Sequence, residues 1–184
     1  MPFTENAKLE VQTNADSFKG KSQNDVLLGN SGDDSLSGKS GNDLLRGSKG
    51  SDLLRGGKND DTLRGGKGAD QLIGHKGNDL LIGRQGNDVL RGKSGDDTIK
   101  GGRGNDIIKA GRGADLIHLS HGQDEILDFK PRSGDRLVGK NKFSFEATEI
   151  DGNLILTDIN NDAQITLHNI TLNSALAVHP ELFS

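Results

Sequence analysis

The stretch "GRQGNDVLR", residues 83–91, is preceded by "GHKGNDLLI" at 74–82 and followed by "GKSGDDTIK" at 92–100. The three align without a gap, and the alignment extends far beyond them. In steps of nine from Gly20, twelve units run to Leu127 with no insertion or deletion. Position six is aspartate in every unit: Asp25, Asp34, Asp43, Asp52, Asp61, Asp70, Asp79, Asp88, Asp97, Asp106, Asp115 and Asp124. Position eight is leucine from Leu27 to Leu90 and isoleucine from Ile99 to Ile126. Position one is glycine except at Ala110 and Leu119, and position four is glycine except at Gln23 and Asn59. A register held for that length marks a repeat architecture, in which each unit stacks on its neighbours.

Each unit reads in two parts. Its first six residues are mostly Gly, Asn, Asp, Ser and Lys, the composition of a turn that needs positive φ and close backbone approach. Its last three set one obligatory apolar residue between two variable ones, the period of a very short strand with position eight inward. Turn plus strand reverses the chain, so two units, 18 residues, make one coil. Twelve units then make about six coils stacked at about 4.8 Å. Odd units form one parallel sheet, even units another, and the Leu/Ile ladders meet between them. The expected class is all-β, a parallel β-roll with a small β-rich C-terminal cap. The expected divisions are 1–19 as an N-terminal extension or cap, 20–127 as the roll, and 128–184 as the cap.

Composition agrees with so thin a core. Of 184 residues 27 are glycine, only 30% are hydrophobic, and Trp, Tyr and Cys are missing altogether. Without cysteine there are no disulfide staples, thiolate metal sites or cysteine nucleophiles. No apolar run approaches the roughly 20 residues that span a membrane. "MPFTENAKLE" at 1–10 lacks the basic-then-apolar order of a cleaved export signal.

Stacking has an electrostatic consequence. The position-six carboxylates of successive coils come into line, with like charges facing one another. A hard cation with oxygen ligands fits such a row. Calcium takes six to eight oxygens from carboxylates and carbonyls, whereas magnesium retains its waters in a tighter octahedron.

"GGKGADQLI" (65–73) and "GGRGNDIIK" (101–109) match the pattern G-G-x-G-x-D-x-U-x at every defined position. Over residues 20–127 the chain resembles the RTX (repeats-in-toxin) family. The resemblance implies calcium held in the turns between successive coils, about five ions per edge and so up to about ten. It also implies the ligands: the twelve aspartates above, with turn carbonyls such as those of Gly32, Gly41, Gly50, Gly68, Gly77, Gly86, Gly95, Gly104, Gly113 and Gly122. One departure is plain. The second glycine stands only at Gly57, Gly66, Gly102 and Gly111, with Lys21, Asn30, Lys39, Ser48, His75, Arg84, Lys93 and Ser120 elsewhere. If that position needs positive φ, those units are strained.

After Leu127 the register stops at "DFKPRSGDRL", and "GNLILTDINNDAQITLHNITL" (152–172) reads as two or three strands with a turn at Asn160–Asn161. This segment resembles the C-terminal cap of secreted RTX proteins such as the serralysin-type proteases. The ending "ELFS" resembles a type I secretion signal, which implies the type I secretion machinery as a partner and a secreted or cell-surface location.

Other motifs fail. "DINND" (158–162) begins like an EF-hand loop, but Ala163 and Asn169 stand where glycine and glutamate are required. "GKS" recurs at 20–22, 38–40 and 92–94 without the glycine five residues earlier that a P-loop requires. No His-Glu-x-x-His or Gly-x-Ser-x-Gly is present, and no enzyme activity is expected. Residues 20–127 hold 16 Lys/Arg against 16 Asp/Glu, and Arg46, Arg55, Arg64, Arg91, Lys100 and Lys109 share the outward position nine. Calcium on the aspartates would leave a cationic exterior, suited to an anionic polysaccharide or cell surface or serving only to keep sheets apart. Nucleic acid is not expected, for want of aromatic residues on which bases stack. Three functions follow: a secreted module that folds on binding calcium, an adhesion module for anionic glycans, and a detached folding and secretion domain of an RTX enzyme.

Overall fold

The structure, a computed structural model, describes residues 8–10, 15–118, 120–139, 145–158 and 163–171. The strands in chain order are β1 (Lys8–Glu10), β2 (Ser17–Lys19), β3 (Val26–Ser31), β4 (Ser35–Ser40), β5 (Leu44–Lys49) and β6 (Leu53–Lys58). They continue as β7 (Thr62–Lys67), β8 (Gln71–Lys76), β9 (Leu80–Gln85), β10 (Val89–Ser94), β11 (Thr98–Arg103) and β12 (Ile107–Arg112). Then come β13 (Leu116–His118), β14 (Gln123–Ile126), a 3-10 turn at Pro131–Ser133, β15 (Arg136–Val138), β16 (Phe145–Ile150), β17 (Asn153–Asp158) and β18 (Gln164–Leu167). Odd strands β1 to β15 form one eight-stranded sheet, and even strands β2 to β14 line a second, which β18, β17 and β16 extend to ten. Pairing within the roll is parallel at an 18-residue offset, as in Val89↔Ile107 and Leu90↔Ile108. This is the expected β-roll.

The position-eight residues Leu27 to Ile126 are all 1% exposed or less and form one continuous core ladder. Strands β3 to β12, however, are six residues long, not three. Each runs through positions seven to nine and on through positions one to three of the next unit, leaving only positions four to six as the turn. Positions two and three pair again with the next coil, as in Lys93↔Gly111 and Ser94↔Arg112. Parallel pairing thus draws Gly- and Lys-rich residues into strands that their composition alone assigns to turns.

Pairing also runs past both ends of residues 20–127. Ser17↔Ser35 and Lys8↔Val26 keep the 18-residue offset, with Asp16 and Phe18 on positions six and eight of a degenerate unit. At the other end β15 joins β13 at Leu116↔Arg136, an offset of 20, after a two-residue insertion. Seven even strands from β2 to β14 therefore line the second sheet, about one coil more than the twelve nonapeptides supply. The C-terminal strands form an antiparallel meander, with β16–β17 joined at Asp151 (φ 51) and Gly152 (φ 74), a tight hairpin turn. It docks through β18, parallel to β14, and continues the core with Leu154, Leu156, Ile165 and Leu167. The expected turn at 160–161 and the "ELFS" ending at 181–184 lie outside the described residues.

Candidate metal centre

The three-residue turns stack into two edges. Even units carry Asp34, Asp52, Asp70, Asp88, Asp106 and Asp124 along one edge. Odd units carry Asp25, Asp43, Asp61, Asp79, Asp97 and Asp115 along the other. All twelve carboxylates are 3% exposed or less. All but Asp25 reach back one coil: Asp88 Oδ1 accepts from the Asp70 backbone N–H at 2.8 Å, and Asp88's own N–H donates to Asp106 Oδ1 at 2.9 Å. The same bond recurs along both edges, for example Asp43 N–H to Asp61 Oδ1 at 2.8 Å and Asp79 N–H to Asp97 Oδ1 at 2.8 Å.

One oxygen is thereby satisfied and the other is not. Oδ2 of Asp34, Asp43, Asp52, Asp61, Asp70, Asp79, Asp88, Asp97, Asp106 and Asp115 is buried without a hydrogen-bond partner. Buried polar atoms are almost always paired, so ten repeated exceptions need a common cause. The carboxylate lies over the position-one glycine: a Cβ added at Gly83 would collide with Asp88 Oδ2 and approach the Gly101 carbonyl oxygen to 2.6 Å. In units two to ten the absence of a side chain there makes the cradle, whereas in unit eleven Ala110 stands at that position.

Carbonyls line the same edges. The position-four oxygens of Gly32, Gly50, Gly68, Gly77, Gly86, Gly95 and Gly104 each abut the α-carbon of the position-four glycine one coil on. The position-two oxygens of Lys39, Ser48, Arg84 and Lys93 do the same toward Gly57, Gly66, Gly102 and Gly111. That second row was not among the expected ligands. Gly122 differs from the other position-four glycines, because its carbonyl accepts the Gln164 N–H of the cap at 2.9 Å. Among the described residues no three His, Cys, Asp or Glu side chains converge, so a cation here would draw on backbone oxygen as well as carboxylate.

Burial makes these carboxylates hard to ionise. Desolvation, the largest cause, pushes Asp43, Asp52, Asp79, Asp88 and Asp115 up to about 6 and Asp61, Asp70, Asp97 and Asp106 up to about 7. The backbone N–H bonds act the other way and do not offset it. The next coil's carboxylate adds repulsion at several positions, Asp79 and Asp43 upon Asp61 for instance. A dry row of mutually repelling carboxylates, each with a free oxygen, is an environment that a divalent ion relieves.

The end positions depart from this pattern. Asp124 Oδ2 accepts from the Ser120 hydroxyl at 2.8 Å, and Asp25 Oδ2 accepts from the Lys21 N–H at 2.6 Å, which leaves Asp25 Oδ1 as its buried oxygen without a partner. A further ladder escapes a reading that follows only invariant positions. Position-five Asn and Asp side chains accept from the position-five N–H of the next coil, as in Asn78 Oδ1 to Asp96 N–H at 2.9 Å and Asn87 Oδ1 to Asn105 N–H at 2.9 Å. Its sequence signal is the Asn/Asp bias at Asn24, Asp33, Asn42, Asp60, Asn78, Asn87, Asp96 and Asn105.

The RTX calcium-binding nonapeptide repeat model (four copies) matches residues 12–45, 37–72, 46–81, 82–117 and 91–126, most of the chain. The chain belongs to that RTX family. Its fold resembles the crystal structure of the extracellular lipase LipA from Serratia marcescens at TM-score 0.51 and 19% identity, over 91% of this chain and 41% of the lipase. It also matches the solution structure of the AlgE6R3 subunit from the Azotobacter vinelandii mannuronan C5-epimerase, at TM-score 0.30 and 26% identity, over 70% of this chain and 81% of that one. No curated protein matches the sequence. The RTX repeats identify a calcium-binding β-roll module, and the residues present suit that ion. The ten unmatched Oδ2 atoms and the axial carbonyls are hard oxygen donors, set in units two to ten against a glycine where an added methyl group would collide with the carboxylate. Bound there, calcium would supply the positive charge that the chain withholds from both edges.

Proposed function

We propose that this protein is a non-catalytic, secreted module whose folding is driven by calcium outside the cell. The observation that carries the reading is the set of ten buried carboxylate oxygens without partners. At neutral pH and without metal, ionised aspartates repel along each edge and oppose the roll. The Gly-rich chain then stays unfolded, in a form that a type I exporter can thread. Each filled site stabilises the fold by RT ln(1 + [L]/Kd), and many sites acting together make the transition steep. Limited proteolysis tests this: trypsin should degrade the protein rapidly in EDTA and spare residues 20–127 in millimolar calcium. Equal digestion in both conditions would refute it.

A second reading, a surface module that binds an acidic polysaccharide, has its own observation. Strands β3 to β12 carry fifteen Lys/Arg and no Asp or Glu. Among the described residues no ion pair engages any of the fifteen; those found join Lys130 to Asp128 and His168 to Glu125. On the odd sheet Lys49, Lys67 and Arg84, with Ser48 and Gln85, surround an open hollow of about 300 Å³ floored by Gly66. Burial, then Lys93 and Arg55, hold the His75 imidazole below its ordinary value. Calcium would cancel the edge carboxylates and leave this field unopposed. Calcium-dependent, salt-sensitive retention on heparin or polyuronate beads would support the reading, and equal passage through charged and neutral beads would reject it.

A further inference from the structure

Position two explains which of the twelve turns are open to a cation. In units two to eleven it is left-handed without exception: Asn30 (φ 69), Lys39 (84), Ser48 (88), Gly57 (130), Gly66 (143), His75 (83), Arg84 (90), Lys93 (87), Gly102 (127) and Gly111 (120). Those ten units are the ten whose aspartate Oδ2 lacks a partner. In the first unit Lys21 is not left-handed. In the first and last units the position-two residue itself donates to the carboxylate, Lys21 through its backbone N–H and Ser120 through its hydroxyl. Across the twelve units, Oδ2 is free wherever the position-two residue donates nothing to it, although Asp25 keeps a buried Oδ1 without a partner.

We infer that the position-two residue is the latch of each calcium site: with a left-handed backbone and no donor aimed at the carboxylate it leaves the aspartate Oδ2 free for the ion, and where its N–H or hydroxyl donates to Oδ2 it closes the site. The inference rests on the calcium reading above and deepens it. It accounts for the six non-glycine residues held at positive φ, a conformation that L side chains rarely adopt. The strain belongs to units that must stay open. The same closure appears one coil beyond the repeat on the odd edge. Asp135 Oδ1 accepts from the Asp115 N–H at 3.2 Å and Oδ2 from the Lys130 N–H at 2.7 Å, while the Lys130 ammonium donates to the Gly111 carbonyl at 2.5 Å. There the chain supplies its own donors and its own cation. The sites therefore number ten, five on each edge, and Asp25 and Asp124 are not among them.

The test is calcium stoichiometry on the full chain, by equilibrium dialysis with calcium ions alone at saturation and pH 7.5, with circular dichroism to verify folding. The parent should bind ten ions. Ser120→Gly, which can turn left-handed and has no hydroxyl, should bind one more. Ser120→Ala, which loses only the donor, should also gain one and decides the matter if the glycine variant does not fold. A folded parent with folded variants that all bind the same number of ions overturns the latch and leaves calcium-driven folding standing. A parent that binds no calcium overturns both.

Discussion

At the scale of the residue, position-six aspartate performs two tasks with two oxygens. Asp88 Oδ1 ties its coil to the preceding one through the Asp70 N–H, while Oδ2 faces the Gly83 cradle. Asp88→Asn keeps an acceptor for the first task and loses the charge for the second. Ionising a buried carboxyl pushed up to about 6 opposes folding at neutral pH. The substitution should therefore stabilise the metal-free roll by roughly 1–3 kcal/mol, less the cost of an unpaired amide N–H, yet remove one calcium and raise the calcium midpoint. Parallel calcium titrations of both proteins check the two opposite effects; a midpoint unchanged from the parent would contradict the role given to Oδ2. Position two allows an equally local prediction. Lys93 is held at φ 87, and Lys93→Gly should relieve about 0.5–1 kcal/mol in calcium. Thermal unfolding in calcium should then move up by about 2 °C or slightly more, with weaker retention on a polyanionic matrix.

At the scale of the element, the strand is built by its neighbours. The Leu ladder, the aspartate file and the two-sheet stacking are legible in the sequence, because each is a single residue type at a fixed position. Strand length is not, since Gly92–Lys93–Ser94 resembles a turn until the parallel ladder enlists it in β10. The degenerate coil at Asp16 and Phe18 is equally hidden, since Phe replaces Leu and the glycines are missing. The two-residue insertion before β15 conceals Asp135, which nonetheless takes the aspartate's place beside Asp115. Nor does composition disclose that Lys21 and Ser120 close the first and last turns, because closure depends on which backbone or side-chain donor reaches the carboxylate. The position-five ladder gives this scale its test. Asn78 Oδ1 accepts from the Asp96 N–H on an exposed edge, and Asn78→Ala should cost about 0.5–1.5 kcal/mol in calcium without changing ion stoichiometry. Chemical denaturation in calcium measures the loss, and a change in ion count would place Asn78 among the ligands instead.

At the scale of the molecule, protons and calcium compete for the same oxygens. Folded-state values of about 6 to 7 lie above the ordinary carboxylate range, with desolvation as the main cause. The folded chain therefore holds more protons than the unfolded chain between about pH 4 and 7. Metal-free stability is fully present below that window and falls as pH rises through it. Acid should thus stand in partly for calcium: in EDTA, strand content at pH 5 should exceed that at pH 7.5, and calcium binding near pH 6 should release protons. A flat pH profile in EDTA would contradict the burial assigned to these carboxylates. The central claim, that the roll is a calcium-dependent fold, meets its most direct test in far-ultraviolet circular dichroism during a calcium titration at pH 7.5. The account predicts a disordered spectrum in EDTA and a steep rise to the β-roll spectrum as calcium is added. The same strand content with and without EDTA would contradict it.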